Sequence, residues 1–154
     1  KLNSGNYQSK NLSILKSKLE DYIDTYYFEK EIKPFIDNKK IQYVGPVNDH
    51  QKNKLLGSAK ALLMPILWEE PFGIVMVEAL ACGTPVIGFN RGSVPEIIEN
   101  GVNGFICNEV DEIIESISRL KLINREHCRN IFEQKFSDKS IIHNYLSIYE
   151  DLLN

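Results

Sequence analysis

Four short apolar runs, Ile41 to Val44, Lys60 to Pro65, Thr84 to Phe89 and Phe105 to Cys107, are separated by segments whose apolar residues recur every three or four positions. No other feature constrains the chain as strongly. Short runs without polar alternation must be covered on both faces, and a parallel sheet with crossover helices provides that cover. An α/β domain is expected, with ligands bound beyond the carboxyl ends of the strands.

Residues 12 to 36 read as helical up to the region of Pro34, with Leu12, Leu15, Leu19, Tyr22 and Ile23 on one stripe. Asn48 or Asp49 can cap a helix from about His50 to Ser58. A long loop, Ile66 to Phe72, precedes Gly73 to Cys82, which is apolar nearly all round and reads as a buried helix ended by Gly83 in the left-handed conformation. Ser93 and Glu96 have capping-box spacing with Pro95 in the first turn, and that helix is expected to stop at Asn100-Gly101. Asn103-Gly104 turns the chain into the last strand, and helices at about 109 to 121, 124 to 135 and 138 to 153 close the domain. The stripe Ile141, Ile142, Tyr145, Ile148, Tyr149 and Leu152 is most simply a packing face.

Several function classes are excluded by composition. A chain of 154 residues can bury a core without disulfides or metals, and a net charge of -3 with no basic tract argues against nucleic acid as a partner. Lysines dominate residues 1 to 60 and acids the remainder, yet no linker or repeat divides the chain. Cys82, Cys107 and Cys128 fit neither a disulfide ladder nor a metal knuckle, so a reducing, cytoplasmic location is expected. The histidines, His50, His127 and His143, lack partners at metal or triad spacing. Glu78, Thr84 and Pro85 interrupt the apolar stretch from Phe72 to Gly88, so no membrane span is expected. The start at Lys1, with no leader, suggests a fragment.

Chemistry concentrates between Trp68 and Cys82. Gly73 opens a helix whose first N–H groups are unpaired and whose dipole end is positive, so a phosphate can dock there without a basic side chain. Glu78 follows five residues later, roughly 7.5 Å along the axis, and leans back toward the tip. Its carboxylate can accept paired hydrogen bonds from a ribose diol, while Glu70 can accept from a second sugar. One anion position between two diol acceptors has the shape of a nucleotide sugar. Trp68 and Phe72 are more simply packing residues, Glu69 a solvated acid, and Cys82 a small apolar filler.

Glu70-Pro71-Phe72-Gly73-Ile74, followed by Glu78 through Ile87, strongly resembles the paired-glutamate signature of the family 4 (group 1) retaining glycosyltransferases. Ile41 to Gly45, Ala59 to Pro65, Gly92 to Glu96 and Asn100 to Phe105 extend the resemblance over about residues 41 to 153. It implies a Rossmann-like parallel sheet with helices on both faces, an incomplete half of a GT-B fold, as the donor-binding carboxyl-terminal domain. It also implies transfer of a hexose from a nucleotide diphosphate sugar to an acceptor hydroxyl in glycan or glycolipid synthesis, with retention and without a metal or other cofactor. Carried over, Glu70 is the catalytic-site residue that orients donor-sugar hydroxyls, and Pro71, Phe72, Gly73 and Ile74 contact sugar or phosphates. Glu78 holds the ribose, and Val47 passes near the base.

The sequence also departs from that family. An Arg and Lys pair that would neutralise the pyrophosphate cannot be present, because Arg91 is the first Arg. The amino-terminal acceptor domain is missing, and residues 1 to 5 are all that would remain of the domain's second strand. The 154 residues alone are therefore expected to be inactive, the acceptor glycan or lipid being met through the missing domain and any membrane contact of the full enzyme being peripheral. The competing expectation is a stand-alone, non-catalytic nucleotide-sugar-binding module.

Overall fold

A computed structural model describes Tyr22 and residues 24–153. The strand expected in residues 1 to 5, and the start of the helix expected over 12 to 36, lie outside the described residues. The chain divides into two compact units, Lys1–Pro46 and Val47–Asn154.

In the first unit the helical turns run to a π-helical stretch, Phe28–Ile32, and a 3-10 turn, Lys33–Phe35, before the chain leaves helix near Pro34 as expected. Asp37 then closes a tight turn, its Oδ1 accepting the N–H groups of Lys39 (2.9 Å), Lys40 (2.7 Å) and Ile41 (2.9 Å). These bonds, that from Ile41 foremost, hold the Asp37 carboxyl below its ordinary range. The strand expected at Ile41 to Val44 does not form: these residues are irregular and exposed, and Tyr43 packs its ring on Phe28 at 4.8 Å. A strand exists only through a neighbour's ladder, and no ladder partner pairs with this stretch among the described residues.

The second unit holds α1 (Asp49–Ser58), β1 (Leu62–Met64), α2 (Ile74–Ala81), β2 (Val86–Phe89), α3 (Val94–Ile97), β3 (Gly104–Cys107), α4 (Val110–Arg119), α5 (Arg125–Lys135) and α6 (Asp138–Leu153). The sheet is parallel in the order β1-β2-β3, with Leu62 opposite Val86 and Val86 opposite Gly104. Every residue of β2 is buried, as a central parallel strand requires. Met76, Ala79 and Leu80 of α2 are fully buried beside Val86, Ile87 and Phe105. Each large side chain so covered contributes about 1.5–3 kcal/mol.

Local chemistry sets the helix ends. Asn48 accepts from the Gln51 N–H while Gln51 reaches back to the Asn48 N–H, a reciprocal cap on α1. Gly83, at φ 69°, ends the α2 turn as expected. The capping box expected at Ser93 is not made. Ser93 has a helical backbone (φ -76°, ψ -8°) rather than the extended one a cap needs, and its side chain caps nothing. The same helix stops at Ile97, short of Asn100, because Asn103 is buried there and takes the Glu99 N–H and donates to the Ile97 carbonyl. The stripe on α6 is not a packing face within the described residues: Ile141, Ile142, Tyr145, Ile148, Tyr149 and Leu152 are all exposed.

All three cysteines are free thiols, Cys107 and Cys128 buried and Cys82 half-buried. Burial pushes Cys128 from 9.0 up to about 11. Unfolding would return that thiol to its ordinary value, so the associated stabilisation is whole below pH 9 and fades as pH climbs through about 11. Iodoacetamide applied to the folded protein at neutral pH should alkylate Cys82 well ahead of the other two, read by peptide mass spectrometry. Equal labelling of Cys82 and Cys128 would contradict this packing.

Candidate functional site

Two loops leave the carboxyl ends of β1 and β2, the edge where open parallel sheets take ligands. The first, from Pro65 to Gly73, delivers the chain to the tip of α2. Gly73 is buried at φ 68° and ψ 59°, a left-handed conformation that side chains resist. A Cβ there would stand 2.5 Å from Met76 Cε and 3.3 Å from Glu70 Cγ. The tip is therefore bare backbone.

Glu70 is seated on that tip. Its Oε1 accepts the Gly73 N–H at 3.1 Å and its Oε2 accepts the Trp68 indole N–H at 3.1 Å. Each carboxylate oxygen has a second lone pair, so both can still receive hydroxyl donors from a ligand. A carboxylate fixed at two points loses less freedom when it engages a third group.

The second loop clamps the first. Gly92 donates its N–H to Glu69 Oε2 at 2.5 Å, Ser93 donates its N–H to the Glu70 carbonyl at 2.9 Å, and Arg91 lies 3.9 Å from Glu69. Gly92 sits at φ 51° with Glu70 N 2.5 Å from where a Cβ would be, so no other residue fits without moving the Glu69-Glu70 backbone. Glu69 is thus the latch of the loop, although its side chain is largely exposed as expected. Ser93 Oγ is buried, 3.6 Å from the position of a Gly73 Cβ, and finds no hydrogen-bond partner among the described residues.

Glu78 departs from expectation in its surroundings. The apolar neighbours of α2 do not enclose it: its side chain is 31% exposed, and Lys52 of α1 donates to its Oε1 at 2.6 Å. Lys52 also lies 3.1 Å from Asp49, and these two carboxylates, Glu78 first, hold its ammonium above its ordinary range. Ile74 and Glu78, four apart, share a face of α2, with Ile74 exposed. Phe72 is exposed at one face and meets Phe136 edge-on at 6.5 Å. Pro71 is exposed, and Val47 is exposed just before the α1 cap.

The structure thus joins Glu70, Gly73 and Ser93 at the tip and puts Ile74 and Glu78 on the helix behind it. Lys52 was not legible as a site residue, since nothing in its own segment points to an acid 26 residues away. Among the described residues no cluster of three or more His, Cys, Asp or Glu could hold a metal, and no helix is long and apolar enough to cross a membrane. His50, His127 and His143 are exposed on helices.

The three-stranded parallel sheet with its flanking helices matches part of the fold of GT-B glycosyltransferases. Sucrose-phosphate synthase from Thermosynechococcus elongatus superposes with a TM-score of 0.69 at 20% identity, over 85% of this chain and 35% of that one. Anabaena HepE, solved in complex with UDP-glucose, gives 0.67 at 24% identity, over 86% of this chain and 37% of that one. The chain belongs to the family of glycosyl transferases group 1, matched over residues 24–137. An uncharacterized 41.2 kDa protein in the cps region of Klebsiella pneumoniae is 34% identical over 122 residues, 75% of this chain and 34% of that protein. The N-acetyl-alpha-D-glucosaminyl L-malate synthase of Bacillus anthracis is 33% identical over 100 residues, 60% of this chain and 26% of that protein. The chain thus spans about a quarter to a third of the length of these relatives.

Proposed function

We propose that this chain is the donor-binding part of a retaining glycosyltransferase that moves a hexose from a nucleotide diphosphate sugar to an acceptor hydroxyl, in glycan or glycolipid synthesis. The observation that carries the reading is the Glu70 carboxylate fixed on the bare tip of α2 by the Gly73 N–H, with Glu78 on the same helix. Family membership supports it, as do the UDP and UDP-glucose complexes of the structural neighbour HepE. Retention, and independence of a metal, follow from the family resemblance.

In this reading Glu70 accepts hydroxyls of the donor sugar and fixes its anomeric carbon, Phe72 to Ile74 face sugar and phosphates, and Glu78 accepts the ribose diol. Val47 lies toward the base. The sugar–phosphate bond breaks with its electrons going to the nucleoside diphosphate, and the acceptor oxygen bonds to the same carbon while its proton passes to the leaving phosphate oxygen. The positive end of α2 favours the charge that builds on the leaving phosphate. Further cations and the acceptor site come from outside these residues, so the chain by itself binds donor without turning it over. Free thiols suit a cytoplasmic setting.

In the intact enzyme Glu70→Ala should lower kcat about 100-fold with donor KM little changed, the loss expected for a group that acts on the transition state. Glu78→Ala should raise the donor Kd about tenfold, the worth of hydrogen bonds to a charged acceptor. Steady-state kinetics and titration calorimetry measure these, and normal constants in both variants would remove the assignment.

A further inference from the structure

Lys52 contributes to neither the tip nor the loops, yet it is the cation that touches a candidate donor-binding acid. Its Nζ lies 2.6 Å from Glu78 Oε1, and both side chains are only about a third exposed, at 30% and 31%. On its other side it is braced by Asp49 at 3.1 Å. The helix that carries it is set independently of the pair. The Asn48 and Gln51 cap fixes the start of α1, while Thr84 donates to the Leu56 carbonyl at 2.6 Å and Arg125 to the Gly57 carbonyl at 2.9 Å at its end.

We infer that Lys52 is a positioning residue for Glu78, holding Oε1 so that Oε2 is presented to a ribose diol and cancelling the carboxylate's charge against an anionic nucleotide. The inference rests on the proposed role of Glu78 as the ribose acceptor. Two physical arguments support it. A glutamate has three side-chain torsions, so a carboxylate held at one oxygen has less freedom left to lose when a ligand engages the other. A bare carboxylate also repels the two or more negative charges of a nucleoside diphosphate, whereas a lysine-paired one does not. Among the described residues no donor occupies Glu78 Oε2, which leaves that oxygen for the ligand. A purely structural clamp would have little to do here, because a partly exposed ion pair adds little to stability.

The test uses the full chain with UDP and 2′-deoxy-UDP as calorimetric probes, and thermal melting as a fold control. The wild type should bind UDP about tenfold more tightly than the deoxy nucleotide, the worth of one charged hydrogen bond. Lys52→Met should bring that ratio to about threefold or less with the melting temperature nearly unchanged, and Lys52→Arg should recover most of it. Glu78→Gln should abolish the ratio. If Lys52→Met keeps the full ratio while Glu78→Gln loses it, the positioning role is wrong and the ribose reading stands. If Glu78→Gln also keeps it, or the wild type binds both nucleotides equally or neither, the ribose reading falls and takes the role of Lys52 with it. Loss of melting stability in Lys52→Met, with the ratio intact in the folded fraction, would make the pair structural only.

Discussion

Gly104→Ala should lower the stability of the domain by about 3 kcal/mol, the upper end of what one substitution ordinarily costs. Gly104 stands opposite Val86 in the parallel ladder, and a Cβ built on it falls on the Val86 carbonyl oxygen and 3.0 Å from Ile98 Cγ2. The obstacle is backbone, which no rotamer change can clear. Relief requires β3 to move away from β2, opening the hydrogen bonds of a strand whose every residue is buried. A change of that size corresponds to a fall in Tm of about 10 °C for a domain of this length. Circular dichroism melting checks it, and a fall of less than about 2 °C would show that the sheet accommodates the methyl.

Gly92→Ala should strike function harder than stability. The added Cβ would meet the Glu70 backbone nitrogen at 2.5 Å, so the alanine can be accepted only if the Glu69-Glu70 segment moves. Glu70 is the group the proposed reaction depends on, and a displacement of about 1 Å at such a group costs about 100-fold in rate. Gly101→Ala separates crowding from backbone strain, because Gly101 also has a positive φ, 82°, but nothing lies within 4 Å of its Cβ position. In the intact enzyme kcat/KM should drop about 100-fold for Gly92→Ala and stay near normal for Gly101→Ala. Equal kinetics in the two variants would mean that the loop tolerates its neighbour.

Sequence patterns carried the second unit well because its determinants are local. Apolar runs gave β1, β2 and β3, the left-handed Gly83 ended α2, and Asn48, one of the two caps the sequence offers, started α1. They failed where the outcome depends on distant partners. Ile41 to Val44 has strand chemistry, but pairing is a property of two segments, and Asp37 instead folds the backbone before it into a turn. Ser93 and Glu96 have capping spacing, but capping needs an extended backbone, and the tie from the Ser93 N–H to Glu70 comes with a helical one. At the site, the bare tip and the acid before it were legible from Gly73 and Glu70. The latch at Glu69 and the cation on Glu78 were not, since Gly92 and Lys52 lie 23 and 26 residues from the acids they meet.

The far end of α2 differs from its tip. Arg129 reaches the Ala81 carbonyl, the Arg125 carbonyl lies 3.0 Å from where a Gly83 Cβ would be, and the Arg125 guanidinium binds Thr84 at 2.7 Å. The carboxyl end of α2 is therefore tied to α5, whereas its tip is held by loop contacts, the Glu70 carboxylate on the Gly73 N–H and the Ser93 N–H on the Glu70 carbonyl. Two different kinds of restraint thus hold one short helix, side-chain cations at the root and backbone N–H groups at the tip, so substitutions at Arg129 and at Gly92 disturb opposite ends of it.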